Sequence, residues 1–346
     1  MKRSLLIVSV FLLSKICIAQ SISPFVFKEQ PGKKQVDVLY KGHLLTAYCW
    51  YDSIKKPVLF PINTVDGITV TRGYPLAPRP GEPTDHPHHI GMWMNYESVN
   101  GFDFWNNSTA IPYDKRNLYG TILHQKIISK KVFGNTASLV TTATWVQPNS
   151  EVLLDEKTEH RFVVKNNLLF IDRITTLTAR DTTVFFKDTK DGFFAIRVAH
   201  ELEQPSQDER TFIDAHGNKT TVAKTSNDDV TGRYYSSTGL QGDSVWSSKG
   251  TWVMLKGLKD GKHITIAMLD HPANVGYPTY WHARGYGLFA LNPLGREVFS
   301  NGKERLNFSL PPHHSVTFHY RVLIASGANI TTEQMNDFAA DFAKEK

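Results

Sequence analysis

Apolar and polar residues alternate with a period of two over much of the chain, which is the pattern of half-buried β-strands. The segment 137–146 is rich in Thr and Val, and the segments 168–177, 263–269 and 316–324 have a similar composition. Turn-forming residues such as Asn301-Gly302 separate these segments. No helical pattern alternates with the strands, so the sequence predicts a large antiparallel two-sheet β-sandwich of about 15 to 20 strands.

One helix is predicted near the C-terminus. Thr331 and Gln334 have the spacing of a capping box, in which each side chain bonds the backbone N–H of the other. A helix that starts there places four apolar residues on one face, namely Met335, Phe338, Ala339 and Phe342. We expect this short C-terminal helix to pack on the sandwich.

The N-terminus has the features of a secretory signal. Lys2 and Arg3 form a positively charged start, and the apolar run Leu5–Leu13 follows. Ala19 is a small residue suited to the last position before a cleavage site. This run is too short to span a bilayer, and no later run approaches 18 apolar residues, so no membrane span is expected.

These features predict a signal peptide over 1–19 and a single β-sandwich domain over 20–346. The protein is therefore expected in the periplasm or outside the cell. A lipoprotein cut before Cys17 is less favoured, because Ile16 is not the small residue that such a site prefers. After cleavage Cys49 is the only cysteine, so the fold must form without an intramolecular disulfide.

The charge of the chain gives no support to a nucleic-acid partner. The formal net charge is +6. Three of the positive charges, Lys2, Arg3 and Lys15, lie in the signal segment. The remaining chain is then close to neutral, at about +3, which is not the footprint of a protein that binds nucleic acid or an anionic membrane.

The segment Asp85–Met94 concentrates three histidines beside a carboxylate. In an extended segment His86 and His88 share a face, whereas His88 and His89 point to opposite faces. A His-x-His pair is common in metal sites of β-barrels, so His86 and His88 are the alternative ligands of a divalent metal. Imidazoles that hydrogen-bond loop backbone are the competing interpretation, and no cofactor is the primary prediction.

The segment Asp270–Gly287 repeats the Asp-His-Pro tripeptide and adds aromatic, amide and guanidinium side chains. Aromatic faces stack on the C–H faces of a sugar ring, and the polar groups bind its hydroxyls or a carboxylate. The segment therefore favours a sugar site, although an aromatic rim that packs the end of the sandwich would have the same composition. Its candidate residues are His271, Asn274, Tyr280, Trp281, His282 and Arg284.

Two further segments carry charges in an apolar context. Asp188, Asp191 and Arg197 lie in the segment 185–197, where Arg197 and Ala195 should share one face of a strand. Structural pairing of this arginine and ligand binding are equally compatible with the pattern. Glu159 stands beside a histidine and an arginine, so it is either a general base or part of an exposed ion pair.

The ordered set of three motifs resembles the bacterial PmoA-like family, which is also known as a domain of unknown function. The motifs are Asp85–Trp93 with Asn100–Trp105, then Asp191–Val198, then Asp270–Phe289 with Asn292–Gly295. A particulate methane oxygenase subunit would need membrane helices, which the sequence lacks after its signal. The resemblance instead implies a galactose-mutarotase-like β-supersandwich, a fold used by sugar epimerases, polysaccharide lyases and glycoside hydrolases.

The leading hypothesis is an exported carbohydrate-active protein that uses His and carboxylate acid–base chemistry, of mutarotase, lyase or hydrolase type. The candidate imidazoles are His88, His89, His271 and His282, and the candidate carboxylates are Asp188, Asp191 and Glu159. The candidate binding residues are Arg197, Arg284, Asn274, Tyr280, Trp281 and Trp93. Two alternatives stay open: a metal-dependent enzyme with His ligands, and a sugar-binding protein without catalysis.

Overall fold

Two large antiparallel sheets pack face to face in this protein. The computed structural model describes residues 23–214, 216, 218–222 and 227–345. Each large sheet has eight strands, and the main apolar core combines residues of both sheets. The predicted all-β sandwich is therefore confirmed, while the predicted signal peptide lies outside the described residues.

The described residues form twenty strands, at the segments that the alternating pattern predicts and at others. They are β1 (Phe25–Gln30), β2 (Gln35–Tyr40), β3 (His43–Cys49), β4 (Val58–Ile62), β5 (Met92–Tyr96), β6 (Thr121–Phe133), β7 (Thr136–Val146), β8 (Val152–Lys165), β9 (Leu168–Ala179), β10 (Val184–Phe185), β11 (Gly192–Arg197), β12 (Arg210–Ile213), β13 (Lys219–Val222), β14 (Arg233–Ser236), β15 (Trp252–Lys259), β16 (Lys262–Asp270), β17 (Tyr280–Ala283), β18 (Leu288–Asn292), β19 (Ser309–Leu310) and β20 (Ser315–Ser326).

The strand order separates the two halves of the sandwich. The first sheet has the order β1-β2-β3-β4-β5-β11-β18-β17, and the second has the order β14-β15-β16-β20-β9-β8-β7-β6. The pairs β10/β19 and β12/β13 form small separate ladders. As a consequence β16 and β17, which are neighbours in the chain, belong to different sheets.

The helices are few and short. The α-helices are α1 (Arg296–Phe299) and α2 (Thr332–Phe342), and the 3-10 helices are Pro31–Lys33, Tyr113–Leu118, His200–Leu202 and Gly242–Val245. Helix α2 begins at Thr331 with both hydrogen bonds of the predicted capping box. Its Met335 and Phe342 are buried against the outer face of the second sheet, as the sequence predicts. No helix of the described ranges has the length and apolar content needed to cross a bilayer.

The outer face of the first sheet carries a second, smaller apolar cluster. Strand pairing aligns Trp93, Ala195, Ala290 and His282 in one row across β5, β11, β18 and β17. Successive side chains of a strand alternate between faces, so Arg197 shares the outer face with Ala195. Trp105 belongs to the same apolar cluster as the two alanines, and its ring centroid lies 5.3 Å from that of Trp93 and 6.4 Å from that of His282. This row forms the base of the candidate site.

Candidate functional site

A cleft of about 830 Å³ opens above this outer face. Five parts of the chain form its walls: the loop before β5, the segment 204–211, Lys219 of β13, the 3-10 helix Gly242–Val245 with the residue after it, and the turn between β17 and β18. Its lining includes Asp85, His86, Glu209, Arg210, Asp243, Trp246, Arg284 and Tyr286. The cleft therefore combines aromatic, imidazole, guanidinium and carboxylate groups.

His86 is the imidazole that faces this cleft, and its side chain is 40% exposed. Its Nδ1 lies 2.5 Å from Oδ2 of Asp85, and its backbone has a left-handed φ of 46°. Arg72 donates to the His86 carbonyl oxygen at 3.0 Å, and the ring lies parallel to Tyr286 at 5.0 Å. Because Nδ1 is engaged by a carboxylate, Nε2 is the nitrogen left to exchange a proton with a ligand. Such strained backbone is concentrated at functional sites.

Two buried arginines hold the Asp85 carboxylate in position through hydrogen bonds. Arg72 and Arg197, both fully buried, donate to its Oδ1 at 2.9 Å each. Burial opposes ionisation of Asp85, but the charges of Arg197 and Arg72 and the hydrogen bond to His86 outweigh it and hold the pKa of Asp85 well below its usual range. Asp85 is thus an ionised acceptor that orients His86.

A second carboxylate, Glu203, completes this network. It lies between Arg210, whose Nη1 donates to Oε2 at 2.5 Å, and His200, at 3.0 Å. Arg197 approaches it to 3.6 Å. Arg72, Arg197 and Arg210 are therefore all paired with buried or part-buried carboxylates.

Arg284 has different surroundings. Its guanidinium carbon lies 4.5 Å from the centroid of Trp246 and 5.9 Å from that of Tyr286. Within the described part of the chain, no carboxylate approaches this guanidinium to 4.0 Å. Trp246 also contacts the edge of His282, at 4.9 Å between centroids. The turn after β17 thus presents a cation on an aromatic surface.

The predicted imidazoles His88, His89 and His282 lie close to the cleft but beneath its surface. Their exposed fractions are 8%, 1% and 2%. Burial lowers the pKa of all three well below the usual value, so they are neutral. The structure brings them together with Trp93 and Trp105. The ring centroids of His88 and His89 are 4.3 Å apart, and the ring of Trp105 contacts those of both Trp93 and His282.

Several polar atoms of this buried layer have no hydrogen-bond partner among the described protein atoms. They are Nε2 of His88, Nε2 of His89, Nε1 of Trp93 and Nδ1 of His282. Arg197 lies 3.4 Å from Nδ1 of His89, which assigns Nδ1 as the acceptor and places the proton of His89 on Nε2. Nδ1 of His282 is 4.0 Å from the Asp191 carboxylate.

The three predicted carboxylates lie in different places. Asp191 borders His282 and is 16% exposed. Asp188 is buried and accepts three backbone N–H bonds, from Glu297, Leu306 and Asn307. Glu159 lies on β8 of the second sheet and accepts a hydrogen bond from Ser138. Only Asp191 is therefore near the histidine cluster.

The second Asp-His-Pro loop divides between the two sheets. Asn274 donates to Asp270 at 2.8 Å and to the backbone oxygen of His319 at 2.7 Å. His271 stacks on His319 at 4.8 Å, under helix α2. Because β16 ends in the second sheet and β17 lies in the first, only residues 280–286 of this segment reach the cleft region.

Tyr280 and Trp281 show how strand alternation separates neighbours. Trp281 points into the main core and is fully buried, with its indole N–H bonded to Gly250. Tyr280 shares the outer face with His282, but it packs on Phe299 at 5.5 Å. Trp93 is also fully buried. None of the three predicted aromatic surfaces lines the cleft, whereas Trp246 and Tyr286 do.

Sequence reasoning missed several residues that build the site: Arg72, Glu203, Arg210, Trp246 and Tyr286. Four of them come from separate elements and stand in no recognisable motif. Tyr286 is the exception, because it lies in the aromatic-rich segment beside Arg284. Asp85 was visible as the carboxylate beside the histidines, but only the pairing of β5 with β11 brings Arg197 to it.

At the alternative metal site the ring centroids of His86 and His88 lie 5.6 Å apart, and Nδ1 of His86 is bonded to Asp85. Among the described residues, the ligand atoms of Asp172, His319 and Glu345 lie within 4.8 Å of one another. Arg321, however, donates to both of these carboxylates, at 2.6 to 2.8 Å. The guanidinium already supplies the positive charge there, so this trio fits a structural ion-pair network better than a cation site.

Several known structures are similar to this chain at low sequence identity. A GH36 α-galactosidase, AgaB from Geobacillus stearothermophilus, is similar with a TM-score of 0.39 and 10% identity, covering 87% of this chain and 41% of that one. The galactosidase domain of the α-galactosidase-sucrose kinase AgaSK gives 0.40 and 12%, covering 88% and 42%. This chain thus spans about two fifths of each.

A galactose mutarotase related enzyme from Lactobacillus acidophilus is similar over nearly its whole length, with 98% of that chain and 88% of this one covered. The TM-score is 0.31 and the identity 9%. No curated protein matches the chain. A family model does match, over residues 35–340, and the chain accordingly belongs to DUF6807, a family of unknown function.

Proposed function

We propose that this chain is an exported carbohydrate-active protein that binds a sugar or oligosaccharide in the cleft and uses His86 as its acid–base group. The observation that carries the proposal is the Asp85–His86 pair. It presents a partly exposed imidazole to the cleft, oriented by a carboxylate that two buried arginines hold in place.

The pair has the arrangement that general acid–base catalysis needs. Nδ1 of His86 donates to Asp85, so Nε2 accepts a proton from a bound hydroxyl or returns one to a leaving oxygen. The ionised Asp85 stabilises the imidazolium that forms on proton transfer. In a mutarotase-like reaction Nε2 would take the proton of the anomeric hydroxyl as the bond between C1 and the ring oxygen breaks, and the imidazolium would return that proton to the ring oxygen directly or through a water molecule. The reverse steps on the other face of the aldehyde would close the ring with C1 inverted.

The rest of the cleft supplies sugar-binding chemistry. Trp246 and Tyr286 offer aromatic surface for the C–H face of a pyranose. Arg210, Glu209 and Asp243 lie on the walls and can bind hydroxyl groups. The same residue types serve an epimerase, a lyase or a hydrolase, so the reaction class has to come from product analysis.

The test is incubation of the purified protein with reducing sugars and oligosaccharides. Anomer exchange, unsaturated products and new reducing ends distinguish the three reaction types. We expect His86→Gln to abolish turnover with an unchanged melting temperature. His313→Gln is the matched control, because His313 is 76% exposed on the turn between β19 and β20. Equal activity of the wild type and His86→Gln would refute the role of His86.

A sugar-binding protein without catalysis is the second candidate. The burial of His88, His89 and His282 favours this candidate. These imidazoles are covered, so a ligand in the cleft contacts His86 as its main imidazole, and fewer groups are left for proton transfer. Calorimetric binding of a saccharide with no product after long incubation would support it over the enzyme.

Export and the PmoA-like assignment are also parts of the proposal. Export is supported by the charged start and apolar run of residues 1–19. The PmoA-like assignment is supported by the three ordered motifs. Fractionation of cells that express the full chain, with N-terminal sequencing of the product, tests export and the cleavage site.

A further inference from the structure

Two cations that line the cleft, Arg284 and Lys219, have no carboxylate oxygen within 4.0 Å among the described residues. Lys219 donates instead to the hydroxyl of Tyr74 at 3.3 Å. Arg72, Arg197 and Arg210 are also near the cleft, but each has a carboxylate oxygen within 2.9 Å. Arg284 has none within 4.0 Å among the described residues, and its planar group lies over Trp246. Each of these three arginines thus has a carboxylate contact, whereas Arg284 has none among the described residues and is available to a ligand.

One carboxylate of the cleft lining, Asp243, is already engaged with another residue. Asp243 accepts a hydrogen bond from Gln204 at 2.6 Å and lies beside the backbone of Gly285. It nevertheless forms no ion pair with Arg284. The backbone N–H of Arg284 donates to Leu288 at 2.8 Å, so the turn that carries the side chain is fixed by the β17/β18 pairing.

A guanidinium in this setting is suited to a carboxylate. Stacking on Trp246 restricts the plane of Arg284 and leaves the N–H groups at its edge free for two parallel hydrogen bonds. A charged partner then offsets the cost of desolvating the cation, and it does so more fully than neutral hydroxyl groups would. Tyr286, 5.9 Å away, adds aromatic surface next to it.

We propose that the saccharide bound in the cleft is acidic, and that Arg284 binds the carboxylate of a uronic acid residue while the sugar ring lies against Trp246 or Tyr286. This inference rests on the proposed carbohydrate function and names its substrate class. It makes Arg284 a specificity-determining residue and leaves proton transfer to His86.

The experiment is isothermal titration of the full chain with oligogalacturonate, oligoglucuronate and oligomannuronate, each beside its methyl ester. The ester keeps the shape of the sugar and removes the charge. For at least one of the three pairs we expect the acid to bind ten-fold or more tightly than its ester. Arg284→Met should abolish this preference, and Arg284→Lys should retain part of it. Arg180→Met is the control, since Arg180 pairs with Asp155 on the second sheet.

The outcomes separate the two proposals. Equal binding of acid and ester, or an acid preference that survives Arg284→Met, would overturn the inference about Arg284 and leave a neutral-sugar site standing. Binding of neutral oligosaccharides without binding of the acidic ones would also overturn the inference about Arg284 and support a neutral-sugar site. If no acidic or neutral saccharide binds at millimolar concentration, the carbohydrate function itself fails. Loss of the acid preference at raised salt would add support, because an exposed ion pair is screened.

Discussion

Arg197 and Arg284 were equivalent candidates in the sequence, and the structure predicts that they differ in what their loss does. Arg197 is fully buried, donates to Asp85 at 2.9 Å and 3.1 Å, and lies 3.6 Å from Glu203. Arg284 is partly exposed and has no such partner among the described residues. We therefore expect Arg197→Met to lower the stability of the folded protein, and Arg284→Met to change ligand binding without a change in stability.

The magnitude follows from the burial of the pair. Removing one partner of a buried ion pair costs roughly 3–5 kcal/mol, because the remaining charge stays in a low-dielectric environment. An unfolding entropy of about 2.1 cal/mol/K per residue over 346 residues gives roughly 0.7 kcal/mol/K. The melting temperature of Arg197→Met should then fall by about 4–7 °C.

The assay is thermal unfolding followed by circular dichroism, with urea unfolding as an independent measure. Arg284→Met is the matched control, because it removes the same charge from the same outer face, and its melting temperature should stay within about 1 °C. A fall of less than 2 °C for Arg197→Met would refute the structural role given to the buried network. An equal fall for both variants would show that their different burial does not decide stability.

Three further predictions concern the stability of the fold. Burial lowers the pKa of His319 from 6.5 to about 4, so the unfolded chain binds more protons than the folded one between these values, and stability should be lost as the pH falls from about 6.5 to 4. In urea unfolding, the free energy of unfolding of His319→Gln should fall less steeply with decreasing pH than that of the wild type. Equal slopes for the two proteins would contradict this. Gly91 has a φ of 57°, and a Cβ there would lie 2.1 Å from the Leu59 carbonyl oxygen, so Gly91→Ala should cost about 2 kcal/mol or more in the same assay. Ala290→Leu should cost about 1–3 kcal/mol and change the tryptophan fluorescence, since this buried alanine belongs to the same apolar cluster as Trp93 and Trp105. An unaltered spectrum would argue against that packing.

Much of the architecture could be predicted because it depends on local patterns. The alternation over 137–146 and 316–324 corresponds to β7 and β20, and the Thr331 capping box begins helix α2. The segment Asp85–Met94 does border the cleft. In each case the signal lies within a few residues of the feature that it predicts.

The sequence by itself determined the two-sheet class, the C-terminal helix and the histidine-rich segment, since strand periodicity and helix capping are short-range properties. Only the tertiary structure decided that His86 is accessible while His88 and His282 are covered. It also decided that Arg197 lies against Asp85, 112 positions away in the chain, and that His271 lies on the other sheet. The physical reason is that exposure and charge pairing depend on which strands pair and which face each residue occupies, and both are set by contacts between distant segments.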